Sequence, residues 1–450
     1  MKKHIQIRPF DSVLMRDGRP FDATPGETAH SMSEIIPSVL AGSIRAMLAK
    51  KIINREHNLS VFASKQAVSI KKLLVKGPIY MRGDRRFYPM PKDLFGYDDT
   101  EKQFHIEALS PVNEYTNSSL DSGFLGTGKL GAHEDSLWTI HVPLNSKEWK
   151  ESPAYISEER MHDWLVRYED EVVRANLQHE LSIWRMIQRG ESGIENLNVM
   201  DRVLLDQVKK HYMAPFAVEE RTSTAINRDT YAAQDEALYS MRMIVLPHDV
   251  TVVAEVNGEL GAGLEWPNQL SEVHPMGGKR RLAHFQEVDA NSFPTCSDEV
   301  IKSLRGAKYI RMILTTPAYF AKGWRPGWLD EKLRTKSEWS DDKGISLTLR
   351  WACIPGYLPV SGWSYSNKKE EKDKSKTIND KKQNGVEKAV RRMVPAGSVY
   401  FFEVEEGYDA ADFARNFWLS SMSDRDRRKG SFDEEDGFGL AIWGTWKPSN

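Results

Sequence analysis

The chain has 450 residues, enough for about two to four domains, and its 40% hydrophobic content excludes wholesale disorder or a fibrous protein. Its 62 Lys and Arg residues are balanced by 64 Asp and Glu residues, which excludes a protein coated with positive charge. Any nucleic acid must therefore be bound by local basic patches. The two cysteines, Cys296 and Cys353, form no CxxC pair, which argues against a cysteine zinc site, a redox pair or a disulfide scaffold.

The sequence predicts neither a secretory signal nor a membrane span. Its first residues, MKKHIQIRPF, carry charge but lack the apolar stretch of a secretory signal. No apolar run approaches the roughly 20 residues that cross a bilayer. We therefore expect a cytoplasmic protein without membrane contact.

The first elements in chain order predict a strand–helix–strand unit. Met1–Arg8 alternates as a strand does, and Pro37 suits the first turn of a helix. Apolar residues at three- to four-residue spacing extend that helix to about Ile52, and Leu73–Met81 has the pattern of a second strand. This order begins a ferredoxin-like α+β unit.

A helical block follows in the N-terminal half. Asn113–Asp135 is rich in Gly, Ser and Thr and predicts a long loop. Ser157 has the signature of an N-cap, and an apolar stripe from Met161 to Ile187 predicts one long helix. Asn198–Tyr212 predicts a second helix. We interpret residues 157–212 as a helical insertion.

Strand signals return in the C-terminal half, with helices predicted at Asp298–Arg305 and Ala410–Met422. The predicted strands are Tyr239–Leu246, Thr251–Val256, Tyr309–Thr315, Ser346–Ile354, Ser398–Glu403 and Leu440–Trp446. The sequence thus predicts an α+β protein with two ferredoxin-like domains in tandem, residues 1–235 and 236–450. Within the second, the charged stretch 366–390 predicts a disordered loop.

Two patterns raise enzymatic alternatives. Gly123–Lys129 (GFLGTGK) matches seven positions of a P-loop, but Leu130 stands where Ser or Thr should bind Mg²⁺, so nucleotide hydrolysis is the least favoured hypothesis. His4 or His30 could act as the general base of a metal-independent ribonuclease. The 12 histidines show no metal-ligand spacing, so neither a metal nor a cofactor is expected.

Basic, glycine-rich and aromatic loops point more clearly to RNA. Glycines let a backbone approach a phosphate, cations neutralise it, and aromatic rings stack on unpaired bases. A further glycine-rich stretch, Gly437–Trp446, leads into the last strand. The candidate RNA contacts in the loops are Gly277, Gly278, Lys279, Arg280, Arg281, Trp324, Arg325, Arg391 and Arg392.

Several segments together resemble a known family. Leu14–Phe21 (LMRDGRPF) and Pro37–Arg45 (PSVLAGSIR) look like the opening of the RAMP-superfamily subunit that caps the crRNA 5′ end in type III-B (Cmr) CRISPR effector complexes. Further similar segments follow in the family's order: PMPKDLF at Pro89–Phe95, Arg221–Ser240, MGGKRR at Met276–Arg281, LTTPAYFAKGWRPGW, VSGWSY, RRMVPAGSVYFFEV and GFGLAIWGTW.

The resemblance implies two packed ferredoxin-like domains in a non-catalytic scaffold. It implies that the chain grips the 5′ repeat-derived tag of the crRNA, contacts the large polymerase-like subunit and the backbone RAMP subunits, and meets target RNA only indirectly. It also implies a hairpin that wedges the RNA where tag meets guide, with Phe124–Gly131 and Thr222–Ala233 as candidates.

Four residues near the N-terminus complete the candidate RNA site. Arg16 and Arg19 flank a predicted turn, Arg45 lies at the end of PSVLAGSIR, and Ser38 lies at a helix N-terminus that can bind phosphate. Because some RAMP relatives are ribonucleases, a metal-independent endoribonuclease that processes repeat RNA stays open as the alternative, with His30 and a loop Lys or Arg as its catalytic set.

Overall fold

The computed structural model describes residues 2–17, 28–56, 69–112, 137–140, 142, 147–190, 199–227, 229–260, 265–364, 386–387, 389–424 and 434–448. Arg19, the Gly123–Lys129 motif and most of the charged stretch 366–390 lie outside these ranges. The described residues form helices and mainly antiparallel sheets, in agreement with the predicted mixture of helix and strand.

The first sheet joins the N-terminus to residues far along the chain. The opening strand Lys2–Pro9 pairs antiparallel with Val250–Asn257 on one side and with Leu282–Val288 on the other. In spatial order, the eight described strands are Tyr212–Met213, Tyr155–Ser157, Arg85–Pro89, Leu74–Arg82, Val250–Asn257, Lys2–Pro9, Leu282–Val288 and Ser271–Pro275. All neighbouring pairs are antiparallel.

This sheet contains strands from both sides of the predicted domain boundary at 235/236, which stays a prediction. Two strands that lie beyond the boundary, Val250–Asn257 and Leu282–Val288, pair directly with the opening strand. Alternation within a strand identifies the strand but not the sheet it joins, because pairing partners are set by tertiary contacts. The first sheet therefore includes residues up to Val288.

One helix covers one face of the first sheet. The helix Pro37–Glu56 begins at the predicted proline and runs four residues past the predicted end. Its buried Leu40 and Ile44 share a core with Ile5 and Val252 of the sheet. The opposite face of the sheet contributes to a second core, which joins the two halves of the chain.

The second sheet lies entirely in the C-terminal third. In spatial order, its strands are Leu347–Cys353, Val399–Val404, Tyr309–Leu314, Leu440–Thr445 and Ser420–Ser421, all antiparallel. The helices of this part are Asp298–Leu304, Ser337–Lys343 and Ala410–Phe417. Four of these strands begin and end within two residues of their predicted limits, because each is a short and mostly buried apolar run.

The helical block is attached to the edge of the first sheet. Ser157 caps its first helix, Glu158–Arg167, by accepting a hydrogen bond from the Arg160 backbone N–H, as predicted. The prediction of a single long helix up to Ile187 was wrong. The first helix ends at Arg167, and a second helix, Glu171–Arg189, follows. Asp170 accepts hydrogen bonds from the first N–H groups of that second helix. A third helix, Val199–His211, returns to the sheet edge.

A buried ion pair joins the helical block to the second sheet. The guanidinium of Arg311 binds the carboxylate of Asp93 and the carbonyl oxygen of Trp164. The Trp164 indole N–H donates to the same carboxylate at 2.9 Å. The Arg311 and Asp93 side chains are 1% and 0% exposed. The pair therefore connects three distant parts of the chain inside the shared core.

The remaining elements are short or project from the sheets. Two long strands, Ala217–Ile226 and Ala233–Val245, form an antiparallel hairpin. The others are Thr28–Ala29, Leu94–Asp98, Phe104–Ala108, Pro111–Val112, Thr139–Ile140, Lys147–Glu148, Ala290–Ser292, Leu358–Val360, Trp363–Ser364, Val386–Glu387 and Arg391–Met393. Within the described ranges, no helix is long and apolar enough to cross a membrane.

Candidate nucleic-acid interface

The basic loop, residues 276–282, is closed by a backbone hydrogen bond and contacts the N-terminal segment. The Met276 N–H donates to the Arg281 carbonyl oxygen at 2.7 Å. Lys279 and Arg280, both exposed, have φ values of 56° and 52°. Non-glycine residues rarely adopt this left-handed conformation, and such strain concentrates at functional sites. The loop thus holds two cations outward in an unfavourable backbone conformation.

The two glycines of the loop lie against the N-terminal segment. Gly277 has a φ of 76°, and a Cβ on it would lie 2.6 Å from the Leu14 carbonyl oxygen. The Gly278 N–H donates to that same oxygen at 2.8 Å. The glycines therefore allow close contact with Leu14 inside the protein.

A hairpin stands beside the basic loop and shares ion pairs with it. The ammonium group of Lys279 lies 3.2 Å from the Tyr239 hydroxyl and 4.9 Å from the centre of its ring. Asp11 accepts from Arg281 at 2.6 Å and from Arg221, at the hairpin base, at 3.0 Å. The Ser12 backbone N–H, followed by Arg221, lowers the pKa of Asp11. Asp11 therefore stays ionised at neutral pH and holds loop and hairpin together.

The N-terminal segment adds Arg16 to this group. Val13 pairs with Ile244 of the hairpin, Leu14 pairs with Gly278, and Arg16 pairs with Ser31. The Asp17 N–H donates to the His30 carbonyl oxygen at 3.0 Å. Arg16 therefore lies two residues along the chain from the contact between Leu14 and the basic loop, and His30 lies beside Asp17.

Arg45 does not join this group. Its guanidinium binds the carboxylate of Asp436 and the carbonyl oxygens of Leu73 and Glu435, and its side chain is 12% exposed. Gly437 follows in the same turn, where a Cβ would lie 2.5 Å from the Val75 carbonyl oxygen. Arg45 and Gly437 therefore both contribute to contacts between the two halves of the chain.

The aromatic and basic loops of the C-terminal third form a second group. Trp324 and Arg392 face outward, whereas Arg325 lies 3.8 Å from the Glu331 carboxylate. Arg391 turns inward over the rings of Tyr319 and Phe438. Two of the four predicted contacts here are thus presented to solvent and two are engaged by the protein.

Comparison with known families decides the identity of the chain. Residues 5–446 match the family described as CRISPR-associated protein (Cas_Cmr3). The chain belongs to the Cas_Cmr3 family. This membership confirms the resemblance to a Cmr subunit and supports a role in a CRISPR effector complex.

Solved structures with similar chains come from related assemblies. A chain of the type III-B Cmr-beta complex bound to cognate target RNA aligns at 12% identity, with a TM-score of 0.42, over 89% of this chain and 86% of that one. The same complex with target RNA and AMPPnP gives 12% and 0.40 over the same shares. A chain of the Csm3–Csm4 subcomplex from a type III-A complex gives 11% and 0.35, over 90% and 93%. Curated proteins give no match. The assignment to Cas_Cmr3 rests on the family match alone.

For this Cas_Cmr3 chain, two residues of the candidate interface could not be identified from the sequence. Asp11 and Tyr239 lie 270 and 40 residues from their partners in the basic loop. Their contacts depend on the sheet pairing, so no local motif could identify them.

The predicted phosphate site at Pro37–Ser38 adjoins a carboxyl group. The helix N–H groups of Val39 and Leu40 both donate to the Ile36 carbonyl oxygen. These bonds do not test phosphate binding, so the Ser38 site stays a prediction. Glu34, just before the helix, has its pKa raised by burial to about 7.

This raised pKa predicts a pH-dependent stability. In the unfolded chain Glu34 loses its proton near its ordinary pKa of 4.5, but in the folded protein only near 7. Stability should therefore fall as the pH rises from about 4.5 to about 7 and then level off. Glu34→Gln should show a smaller fall in melting temperature over that window than the native chain. Glu406→Gln, an exposed control, should behave as the native chain does, and an equal fall in both variants would contradict the prediction.

Proposed function

We propose that the chain is a non-catalytic, RNA-binding subunit of a type III-B CRISPR effector complex that holds the 5′ repeat-derived tag of the crRNA. The observation that carries this proposal is that the basic loop, with Lys279 and Arg280 exposed, contacts the hairpin through Tyr239. Localised cations next to a projecting element suit a single strand that must be both held and bent. The near-neutral net charge of −2 suits a subunit whose other faces contact partner proteins.

The strand order supports the tandem ferredoxin-like interpretation. In the first sheet, the strand before the helix Pro37–Glu56 lies between Val250–Asn257 and Leu282–Val288, with Leu74–Arg82 beside Val250–Asn257. In the second sheet, Tyr309–Leu314 lies between Val399–Val404 and Leu440–Thr445. Both have the spatial order second–third–first–fourth that βαββαβ units adopt. We propose that each sheet is the centre of one ferredoxin-like unit, and that the first unit carries the helical block and the hairpin as insertions.

The hairpin is our candidate for the wedge. The predicted segment Thr222–Ala233 forms its outer part, whereas Phe124–Gly131 lies outside the described residues. Tyr231, near the tip, is 84% exposed with a φ of 56°, and Ile226 and Leu238 are more than half exposed. Exposed apolar side chains on a projecting element can separate stacked bases. We propose that this tip contacts the RNA where tag meets guide.

The partners in this proposal are the crRNA, the large polymerase-like subunit and the backbone RAMP subunits. Target RNA would be met only through the crRNA. The helical block, anchored at the sheet edge by Tyr155–Ser157 and Tyr212–Met213, is a candidate docking surface for a neighbouring subunit.

A gel-shift assay tests the proposal. The full-length chain is titrated, in EDTA and at several salt concentrations, with RNAs that carry the intact tag, a scrambled tag or no tag. We expect preferential binding of the intact tag and no cleavage. Cleavage that is lost in His30→Ala would instead favour the metal-independent ribonuclease. Equal binding of intact and scrambled tags, alone and in the assembled complex, would contradict tag recognition.

A further inference from the structure

An aromatic cavity lies beside the second sheet. It has a volume of about 420 Å³ and lies between residues 323–324, the strand end at residues 351–357 and the strand Arg391–Met393. We call it the aromatic pocket and define it by Trp324, Trp351, Tyr357 and Arg392. Its walls are mainly apolar, and its lining residues include one cation, Arg392, and no acidic side chain. Its size exceeds what a single aliphatic side chain needs and is adequate for one nucleotide.

The exposed rings and the cation face a common space. Tyr357 and Trp324 are 61% and 36% exposed, although aromatic side chains are usually largely buried. The Arg392 guanidinium lies 5.0 Å from the centre of the Tyr357 ring. Arg392 has no acidic partner within the described ranges, so its charge is available to an anionic ligand.

The loop that carries Trp324 is rigidly held although the ring is exposed. The Asp424 carboxylate accepts hydrogen bonds from the Ala321 and Gly327 N–H groups, each at 2.7 Å. The Tyr400 hydroxyl donates to the Trp324 carbonyl oxygen at 2.6 Å. Such preorganisation lowers the entropy cost of binding, because the ring is already in place when a ligand arrives. Asp424 and Tyr400 are therefore positioning residues for the pocket.

We propose that the aromatic pocket receives one unstacked base of the bound RNA, with the base against Trp324 and Tyr357 and the adjoining phosphate near Arg392. The inference rests on the proposed RNA binding and adds a base contact, whereas the basic loop offers cations for phosphates. An apolar side chain of a neighbouring protein would fill such a pocket but would gain nothing from the charge of Arg392. The charge therefore favours a nucleotide.

An abasic scan combined with mutation tests the pocket. A single-stranded RNA bound by the full-length chain is prepared in versions that each lack one base, and the Kd of each is measured for the native chain and for Trp324→Leu. Removing the base that occupies the pocket should weaken binding by the native chain about five- to 100-fold, the usual contribution of one base stacked on an aromatic ring. In Trp324→Leu, binding of the intact RNA should weaken by a similar factor, and loss of that same base should have little further effect.

Matched variants separate this pocket from a general loss of binding. Tyr408→Leu removes another exposed aromatic ring and should leave the whole scan unchanged. Arg392→Gln should lower the salt dependence of binding, whereas Arg305→Gln, at an exposed arginine of the same half, should not.

The outcomes distinguish the inference from the function on which it rests. RNA binding that persists with no coupling between Trp324 and any single base would overturn the pocket but leave the proposed function standing. Trp324→Leu that releases a partner subunit while RNA affinity stays unchanged would assign the pocket to a protein side chain and would also overturn the inference. Absence of RNA binding by the native chain, alone and in the assembled complex, would overturn both.

Discussion

Replacing Lys279 and Arg280 together by Gln should weaken the binding of single-stranded RNA and make it less sensitive to salt. Each phosphate contact on a single strand contributes about 0.7 to the slope of log K against log salt, so losing two should lower it by about 1.4. If the two binding curves meet at about 1 M salt, the affinity at about 0.1 M falls about 25-fold. Both side chains are exposed, and within the described ranges neither has an acidic partner, so both charges can contact phosphate.

Arg281 should behave differently although it is the next residue. Its guanidinium is bound to Asp11 at 2.6 Å, and its side chain is 23% exposed. Arg281→Gln should therefore disturb the contact between loop and hairpin and leave the salt slope nearly unchanged. We therefore predict that the three adjacent cations divide into two phosphate contacts and one structural ion pair.

A matched control is available on the second half of the chain. Lys302 and Arg305 are also an exposed lysine and arginine. Lys302→Gln with Arg305→Gln removes the same charge but should leave affinity and salt slope as they are. If this control lowers the slope as much as the Lys279 and Arg280 changes do, the effect comes from net charge and the basic loop is not the RNA-binding site.

The fold was predictable where the sequence pattern is local. The helix from Pro37, the cap at Ser157 and the four main strands of the second sheet follow from periodicity and from side chains that satisfy nearby backbone groups. The break before the helix Glu171–Arg189 was not predicted, because Tyr168 and Val172 keep a helical four-residue spacing across it. Asp170, which can accept hydrogen bonds from a helix start, was the signal that could have found it.

The candidate site was less predictable than the fold. A basic residue that binds RNA and one that joins two halves of a protein look the same in sequence; Arg45 is of the second kind. A glycine that lets a phosphate approach and a glycine that lets another backbone segment approach also look the same in sequence. Gly277 lies against the Leu14 backbone. Only the sheet pairings, which connect residues hundreds of positions apart, distinguish these cases.

The effect on stability should be largest at the buried ion pair. Asp93→Ala leaves the Arg311 guanidinium, which is 1% exposed, without its carboxylate. Breaking a buried pair on one side costs about 3–5 kcal/mol, because the remaining charge stays away from water. The same carboxylate accepts the Trp164 indole N–H, so the helix Glu158–Arg167 should loosen from the second sheet as well. Urea denaturation, followed by tryptophan fluorescence, measures the free energy of unfolding.

Two further variants decide whether the charge or the packing is responsible. Asp93→Leu combined with Arg311→Met replaces both charges by apolar groups and should recover most of the lost stability, since apolar replacement of a buried ion pair is often neutral or favourable. Asp412→Ala breaks a pair with Arg415 whose side chains are 70% and 51% exposed, and it should cost less than about 1 kcal/mol. A double variant as unstable as Asp93→Ala would attribute the loss to packing and not to the unpaired guanidinium. An Asp93→Ala cost no larger than that of Asp412→Ala would mean that the buried pair does not hold the helical block to the second sheet.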